Sequence, residues 1–139
     1  MISYAQNRED VLLNRLFRGK NSGFYIDVGA SHPELFSVTK YFYDKGWNGI
    51  NIDPISKNIA LFNEQRPRDI NLCLALGQRY EVKRLTVIPD PHGAFGLSTI
   101  NDEVANQSFQ KDRKISSTMV QVHTLADICL LYTSPSPRD

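Results

Sequence analysis

The apolar positions of this chain recur with two different periods, and the pattern changes part-way along it. Within residues 7–17, Val11, Leu12, Leu13, Leu16 and Phe17 fall on one helical face, which predicts an amphipathic helix stopped at Gly19. Phe24-Tyr25-Ile26-Asp27-Val28 is a run of strand length, followed by the turn-forming Gly29-Ala30-Ser31-His32-Pro33. Ser37 is placed to cap a helix through Lys45, and Gly46 is placed to end it. Residues 49–53 predict a second strand. Ser56 can cap a helix to about Gln65, and Pro67 prevents its continuation. Residues 70–76 predict a third strand, closed by Gly77. Strand, helix, strand, helix, strand with short links is the signature of an α/β fold: a parallel sheet with flanking helices.

Beyond Gly77 the alternation loosens. Residues 82–88 predict a strand, and Pro89, Pro91, Gly93 and Gly96 predict a long loop. Asn101 can open a short polar helix over 101–110. Residues 119–124 alternate like a strand, and Thr124-Leu125-Ala126-Asp127 has capping-box spacing for another helix. The segment from Cys129 to Asp139 ends in Ser134-Pro135-Ser136-Pro137, which cannot continue a helix. Residues 129–139 are therefore expected to be a non-native tail, and residues 1–128 the part that folds.

Composition narrows the function classes. The chain has 139 residues, enough for one small domain, and is 41% hydrophobic and 22% charged, as in ordinary globular proteins. A formal net charge of +1 with no dense Lys/Arg block argues against a nucleic-acid partner. No apolar run approaches the roughly 20 residues of a membrane span. The polar start Met1-Ile2-Ser3-Tyr4-Ala5-Gln6 is unlike a signal peptide, so a cytoplasmic location is expected. Two cysteines make no disulfide framework, and Cys73, inside an apolar run, is expected to be buried.

The candidate chemistry lies at the predicted strand ends, where open α/β sheets collect ligands. Asp27 with Gly29, Ala30 and Ser31 forms an acid-plus-glycine turn, in which glycine lets a ligand approach the backbone closely. A carboxylate there suits a cationic or hydroxyl-bearing cofactor better than a pyrophosphate, and the G-x-G-x-x-G spacing of dinucleotide sites is absent. Asp53, one strand-helix-strand unit later, can accept hydrogen bonds from both hydroxyls of a ribose. Apolar residues at the end of the third strand can wall an adenine. His32 directly follows the turn and is the best-placed general-base candidate. His92 and His123 are scattered from it, so no metal site is expected. Tyr41, Phe42, Tyr43 and Trp47 are expected to pack as core.

Several segments together resemble one family. Ser3-Tyr4-Ala5-Gln6-Asn7-Arg8-Glu9-Asp10-Val11-Leu12-Leu13, Gly23-Phe24-Tyr25-Ile26-Asp27-Val28-Gly29-Ala30 and Phe42-Tyr43-Asp44-Lys45-Gly46-Trp47-Asn48-Gly49-Ile50-Asn51-Ile52-Asp53-Pro54 are similar to motifs of FkbM-type methyltransferases. So are Arg66-Pro67-Arg68-Asp69-Ile70-Asn71-Leu72 and Gly96-Leu97-Ser98-Thr99, all in consistent order. The resemblance implies a Rossmann-like methyltransferase fold that uses S-adenosyl-L-methionine. Methyl transfer would go to a hydroxyl of a small molecule or glycan, such as a bacterial sugar or a secondary metabolite.

By that resemblance Asp27, Gly29, Ala30 and Ser31 would line the methionine side of the cofactor, and Asp53 would hold the ribose. Ala75 and Leu76 would lie near the adenine. Tyr4 and Gln6 would belong to an N-terminal segment that closes over the site. Ser31 stands where many relatives carry Asn. The family continues past Ile128 into a strand bearing an Asp and a Glu that this chain lacks, so the sheet is expected to be incomplete, the chain marginally stable and its activity low. The competing readings are a non-enzymatic adenosine-binding or assembly module and a nucleotide-sugar reductase using NAD.

Overall fold

The structure, a computed structural model, describes residues 1–88, 100 and 115–133. The predicted loop of prolines and glycines, the helix expected at 101–110 and His92 lie outside the described residues. The chain divides into two compact units, Met1–Cys73 and Leu74–Asp139.

The first unit runs α1 (Glu9–Leu16), β1 (Phe24–Val28), α2 (Lys40–Asp44), β2 (Asn48–Ile52), α3 (Ser56–Gln65) and β3 (Ile70–Leu72). Its three strands form a parallel sheet in the order β1-β2-β3. The register pairs Tyr25 with Gly49, Asp27 with Asn51, and Asn51 with Asn71. Side chains alternate across a strand, so Tyr25, Asp27, Asn51 and Asn71 share one face, and Ile26, Ile50, Ile52, Ile70 and Leu72 share the other. Helices α2 and α3 lie on the polar face: Thr39, at the start of α2, reaches Asp27, and Asn63 of α3 reaches Asn71. Gly49 is required by this register, because a Cβ there would collide with the Tyr25 carbonyl and ring.

Two helices are shorter than the sequence predicts. In front of α1, the Glu9 carboxylate accepts the Asn7 N–H at 3.0 Å and its side-chain amide at 3.2 Å, and Arg8 turns left-handed at φ 63°. That local bonding takes Asn7 out of the helix. The apolar stripe of α1 is also largely open, with Leu12 60% and Leu16 78% exposed. The buried residue of this helix is instead Asp10, which accepts the Ser3 hydroxyl at 2.6 Å and the Tyr4 N–H at 2.8 Å. In α2, Ser37 Oγ accepts the Lys40 N–H at 3.1 Å, while the Thr39 hydroxyl faces the sheet instead of capping the helix. Phe42 and Trp47 are buried with ring centroids 4.9 Å apart, the packing role expected of this aromatic cluster.

The third predicted strand is split. β3 stops at Leu72, and Ala75–Leu76 form β4 in the other unit. The last rung of the first sheet is the Asp53 N–H donating to Leu72 O at 3.1 Å. The next donor on that side, the Ile55 N–H, goes to Asp53 Oδ1 at 2.9 Å instead, so the chain after β2 does not extend the ladder. Cys73, at the break, is exposed rather than buried.

The second unit contains β4 (Ala75–Leu76), β5 (Glu81–Val87), β6 (Ser116–His123) and α4 (Leu125–Thr133). Its sheet has the order β4-β6-β5, with β4 parallel and β5 antiparallel to β6. The fold is therefore mixed α/β with a parallel sheet of three strands, not one continuous parallel sheet. His123 is half-buried, with its ring 5.0 Å from that of Tyr80. Thr124 Oγ1 accepts the Asp127 N–H at 3.1 Å, the cap that its spacing predicts. Helix α4 then continues past Ile128 to Thr133, because Cys129-Leu130-Leu131-Tyr132 contains no helix breaker.

Candidate functional site

The polar end of the first unit is built by the turn after β1 and the end of β2. Gly29 adopts φ 69°, and its N–H and that of Ala30 donate to Ile52 O at 2.9 and 3.1 Å. These bonds hold the turn against the neighbouring strand. A Cβ at Gly29 would meet no atom within 4 Å, so the front of the turn is open.

Asp53 locks the next residue in place. Its Oδ2 accepts the Ser31 N–H at 2.9 Å, and its Oδ1 accepts the Ile55 N–H at 2.9 Å and the Asn58 amide at 3.1 Å. One buried carboxylate thus joins the β1 turn, the end of β2 and the start of α3. A carboxylate offers about four acceptor positions, so these three bonds leave room for one further donor.

Ser31 is held at φ 59°, a left-handed conformation that costs a non-glycine residue on the order of 1–3 kcal/mol. Asn tolerates this region better than Ser. Ser31→Asn is therefore expected to stabilise the chain by about 0.5–1 kcal/mol, the scale of conformational matching at such positions. A urea midpoint that fails to rise would contradict this.

Asp27 is half-buried, and its Oδ2 accepts the Thr39 hydroxyl at 2.7 Å. Burial pushes its carboxyl above the usual carboxylate range, and the charges of Asp53 and Asp69 add to that. The Thr39 hydrogen bond and the Arg66 charge pull it back.

His32 is committed to the loop. Its Nδ1 accepts the Glu34 N–H at 3.0 Å and the Leu35 N–H at 2.9 Å. In the neutral ring this leaves the proton on Nε2, so neither nitrogen is free to take one from a substrate. Burial and the Arg66 charge lower its affinity for a proton, against a smaller raising effect of Glu34. The loop's contribution to stability is then complete above the ordinary histidine value of 6.5 and is lost as pH falls through the lowered folded value. The thermal midpoint should drop between pH 7 and 5, a window set by about one unit either side of a histidine pKa. His32→Asn, which accepts the same N–H groups without titrating, should flatten that dependence. An equally steep profile in the variant would show that the pH response arises elsewhere.

The N-terminal segment lies beside this loop through a parallel bridge between Ala5 and Phe36. Asp10 anchors it, and although burial works against ionisation, the hydrogen bonds from Ser3, Tyr4, Ala5 and Val11 hold its carboxyl below the usual range. The Tyr4 ring lies 5.8 Å from Lys40 Nζ and lines a surface cleft of about 340 Å³ with Ile2, Tyr41, Asp44 and Lys45. Gln6 is exposed. Ala75 and Leu76 are half-buried in the second unit, paired with Val122 and His123. Among the described residues, no group of three or more His, Cys, Asp or Glu side chains converges as a metal site.

The family model described as the methyltransferase FkbM domain matches residues 27–136, more than half of the chain. The chain belongs to that family. No curated protein and no solved structure gives a significant match. The matched span in this FkbM-family methyltransferase begins at Asp27, the first carboxylate of the site. The sequence reading missed the residues that hold that carboxylate. Thr39 falls inside the helix predicted from Ser37, and Arg66 enters only as the first residue of a family-like segment. The available signal was Arg66-Pro67-Arg68-Asp69, two opposite charges three positions apart at the foot of an apolar strand.

Proposed function

We propose that this chain binds S-adenosyl-L-methionine at the ends of β1 and β2 and transfers its methyl group to a hydroxyl oxygen. The acceptor in this reading is a small molecule or glycan, such as a sugar hydroxyl or a secondary metabolite, and the fold around the site is Rossmann-like. The observation that carries it is the pair Asp27, on β1, and Asp53, just beyond the end of the adjacent parallel β2, where Asp53 holds Ser31 beside an open glycine turn. Family membership supports the reaction class.

The residues fit the group. Asp53 retains acceptor capacity for a ribose hydroxyl. Asp27 Oδ1 accepts no hydrogen bond from the described residues and is available to the cationic methionine portion. Gly29, Ala30 and Ser31 shape the wall between them. The bound sulfonium would supply an already activated methyl. The chain's own task is then to orient donor and acceptor and to exclude water, effects worth up to roughly 7–11 kcal/mol in ideal alignment. With His32 engaged by its loop, the reading assigns no general base. A cytoplasmic setting fits the exposed free thiol of Cys73.

Calorimetry with S-adenosylmethionine and, separately, NAD tests the proposal. Binding of the sulfonium with methyl transfer to a sugar hydroxyl supports it. Binding without transfer to any acceptor would favour the non-enzymatic adenosine-binding reading, and binding of NAD alone would overturn both.

A further inference from the structure

Arg66, just beyond α3, is only 1% exposed. Its guanidinium lies between the rings of Phe62 and Tyr43, 5.1 and 5.5 Å from their centroids. One terminal nitrogen donates to Pro33 O and to Ser37 Oγ, the latter at 2.7 Å, and the other donates to Thr39 Oγ1 at 2.7 Å. Asp69 Oδ2 stands 3.9 Å away as counter-ion. Every side-chain hydrogen bond Arg66 makes is thus to the loop between β1 and α2.

The direction of the Thr39 bond is fixed by this arrangement. A hydroxyl has one hydrogen, and Thr39 Oγ1 already accepts from Arg66, so its hydrogen goes to Asp27 Oδ2. The result is a one-way chain from Arg66 through Thr39 to Asp27. It occupies Oδ2 and leaves Oδ1 without a hydrogen bond among the described residues. An apolar side chain between the two rings would fill the same space but could not set that direction.

We propose that Arg66 is the positioning residue of the cofactor site: it orients Asp27 through Thr39 and holds the surrounding loop through Pro33 and Ser37. This rests on the methyltransferase reading above only for what Asp27 then binds. The groups facing Asp27 are Asp53 beyond β2, Asp69 before β3, Arg66 after α3 and Thr39 at α2; Tyr25, on its own strand, is bonded to Asp69. Two of the three charges are negative, so loss of the relay should let Asp27 keep its proton to higher pH.

The test follows the Asp27 carboxyl by ¹³C NMR titration in the ligand-free chain, together with calorimetry of S-adenosylmethionine across pH. Thr39→Val should raise the Asp27 midpoint, move the acid limb of binding to higher pH and weaken affinity about tenfold near neutrality, as loss of one charge-assisted hydrogen bond does. Thr39→Ser should restore all three. Arg66→Met should shift the midpoint further than Thr39→Val; if it does not fold, Thr39→Val decides. An unchanged Asp27 midpoint in a folded Thr39→Val overturns the relay. A shifted midpoint in a chain that binds no S-adenosylmethionine at any pH upholds the relay and overturns the cofactor reading instead.

Discussion

Replacing Asp69 by Ala is expected to abolish cooperative unfolding of the first unit. Its Oδ1 accepts the Gly49 N–H at 2.9 Å, and its Oδ2 accepts the Tyr25 hydroxyl and the Asn51 amide, the latter at 2.8 Å, beside the buried Arg66 guanidinium. The substitution leaves a buried cation uncompensated and three donors unpaired. Breaking a buried pair from one side costs about 3–5 kcal/mol, against a total stability of about 5–15 kcal/mol for a typical domain. A far-ultraviolet dichroism melt should lose its sigmoidal transition. As a control, Asp44→Ala removes an exposed pair with Lys40 and should change stability by no more than about 0.5 kcal/mol. A clean melt for Asp69→Ala within that margin would show that the polar layer is not what holds the sheet.

The second large effect is expected at Asp53. Asp53→Ala removes the acceptor of the Ser31 N–H, the Ile55 N–H and the Asn58 amide together. The left-handed conformation of Ser31 is then no longer enforced, and the turn beside Gly29 is free to relax. Affinity for S-adenosylmethionine should fall at least about a hundredfold, the scale of a lost carboxylate–hydroxyl contact plus a disordered loop. Stability should fall by about 1–3 kcal/mol. Asp53→Asn separates the two effects. One amide oxygen can still serve Ile55 and Asn58, but its NH₂ opposes the Ser31 N–H, so stability should recover more than binding. Equal recovery of both in calorimetry and urea unfolding would mean that the carboxylate acts on the ligand only through the fold.

Much of this architecture could be read from the residues. The strands at β1 and β2 follow from short apolar runs bounded by glycine, and the end of α3 follows from its proline stop, but its start is held by Asp53 at an Ile55 N-cap and not by a Ser56 cap. The carboxylates Asp27 and Asp53 were legible as a pair because strand ends collect ligands in such sheets. What was not legible depended on partners distant in sequence. The break after Leu72 goes with the Ile55 N–H, beyond the neighbouring strand, being taken by the Asp53 carboxylate, which no local pattern within residues 70–76 reveals. The commitment of His32 to two backbone N–H groups, and the use of Thr39 toward Asp27 instead of as a helix cap, are set by tertiary geometry. Cys73 shows the same effect: an apolar neighbourhood in sequence became an exposed position once the strand stopped short of it.

The division of the first sheet into a polar and an apolar face has a consequence for how its strands find one another. Aliphatic side chains pair with each other in almost any alignment, whereas Asp27, Asn51 and Asn71 form a row of directional groups that match only side by side. Gly49 adds a gap that the Tyr25 carbonyl and ring occupy in the native register, where any Cβ would collide with them. A strand slipped by a single residue would turn the whole polar row onto the aliphatic side. Misaligned pairings are thereby disfavoured, and the parallel sheet carries its own alignment key.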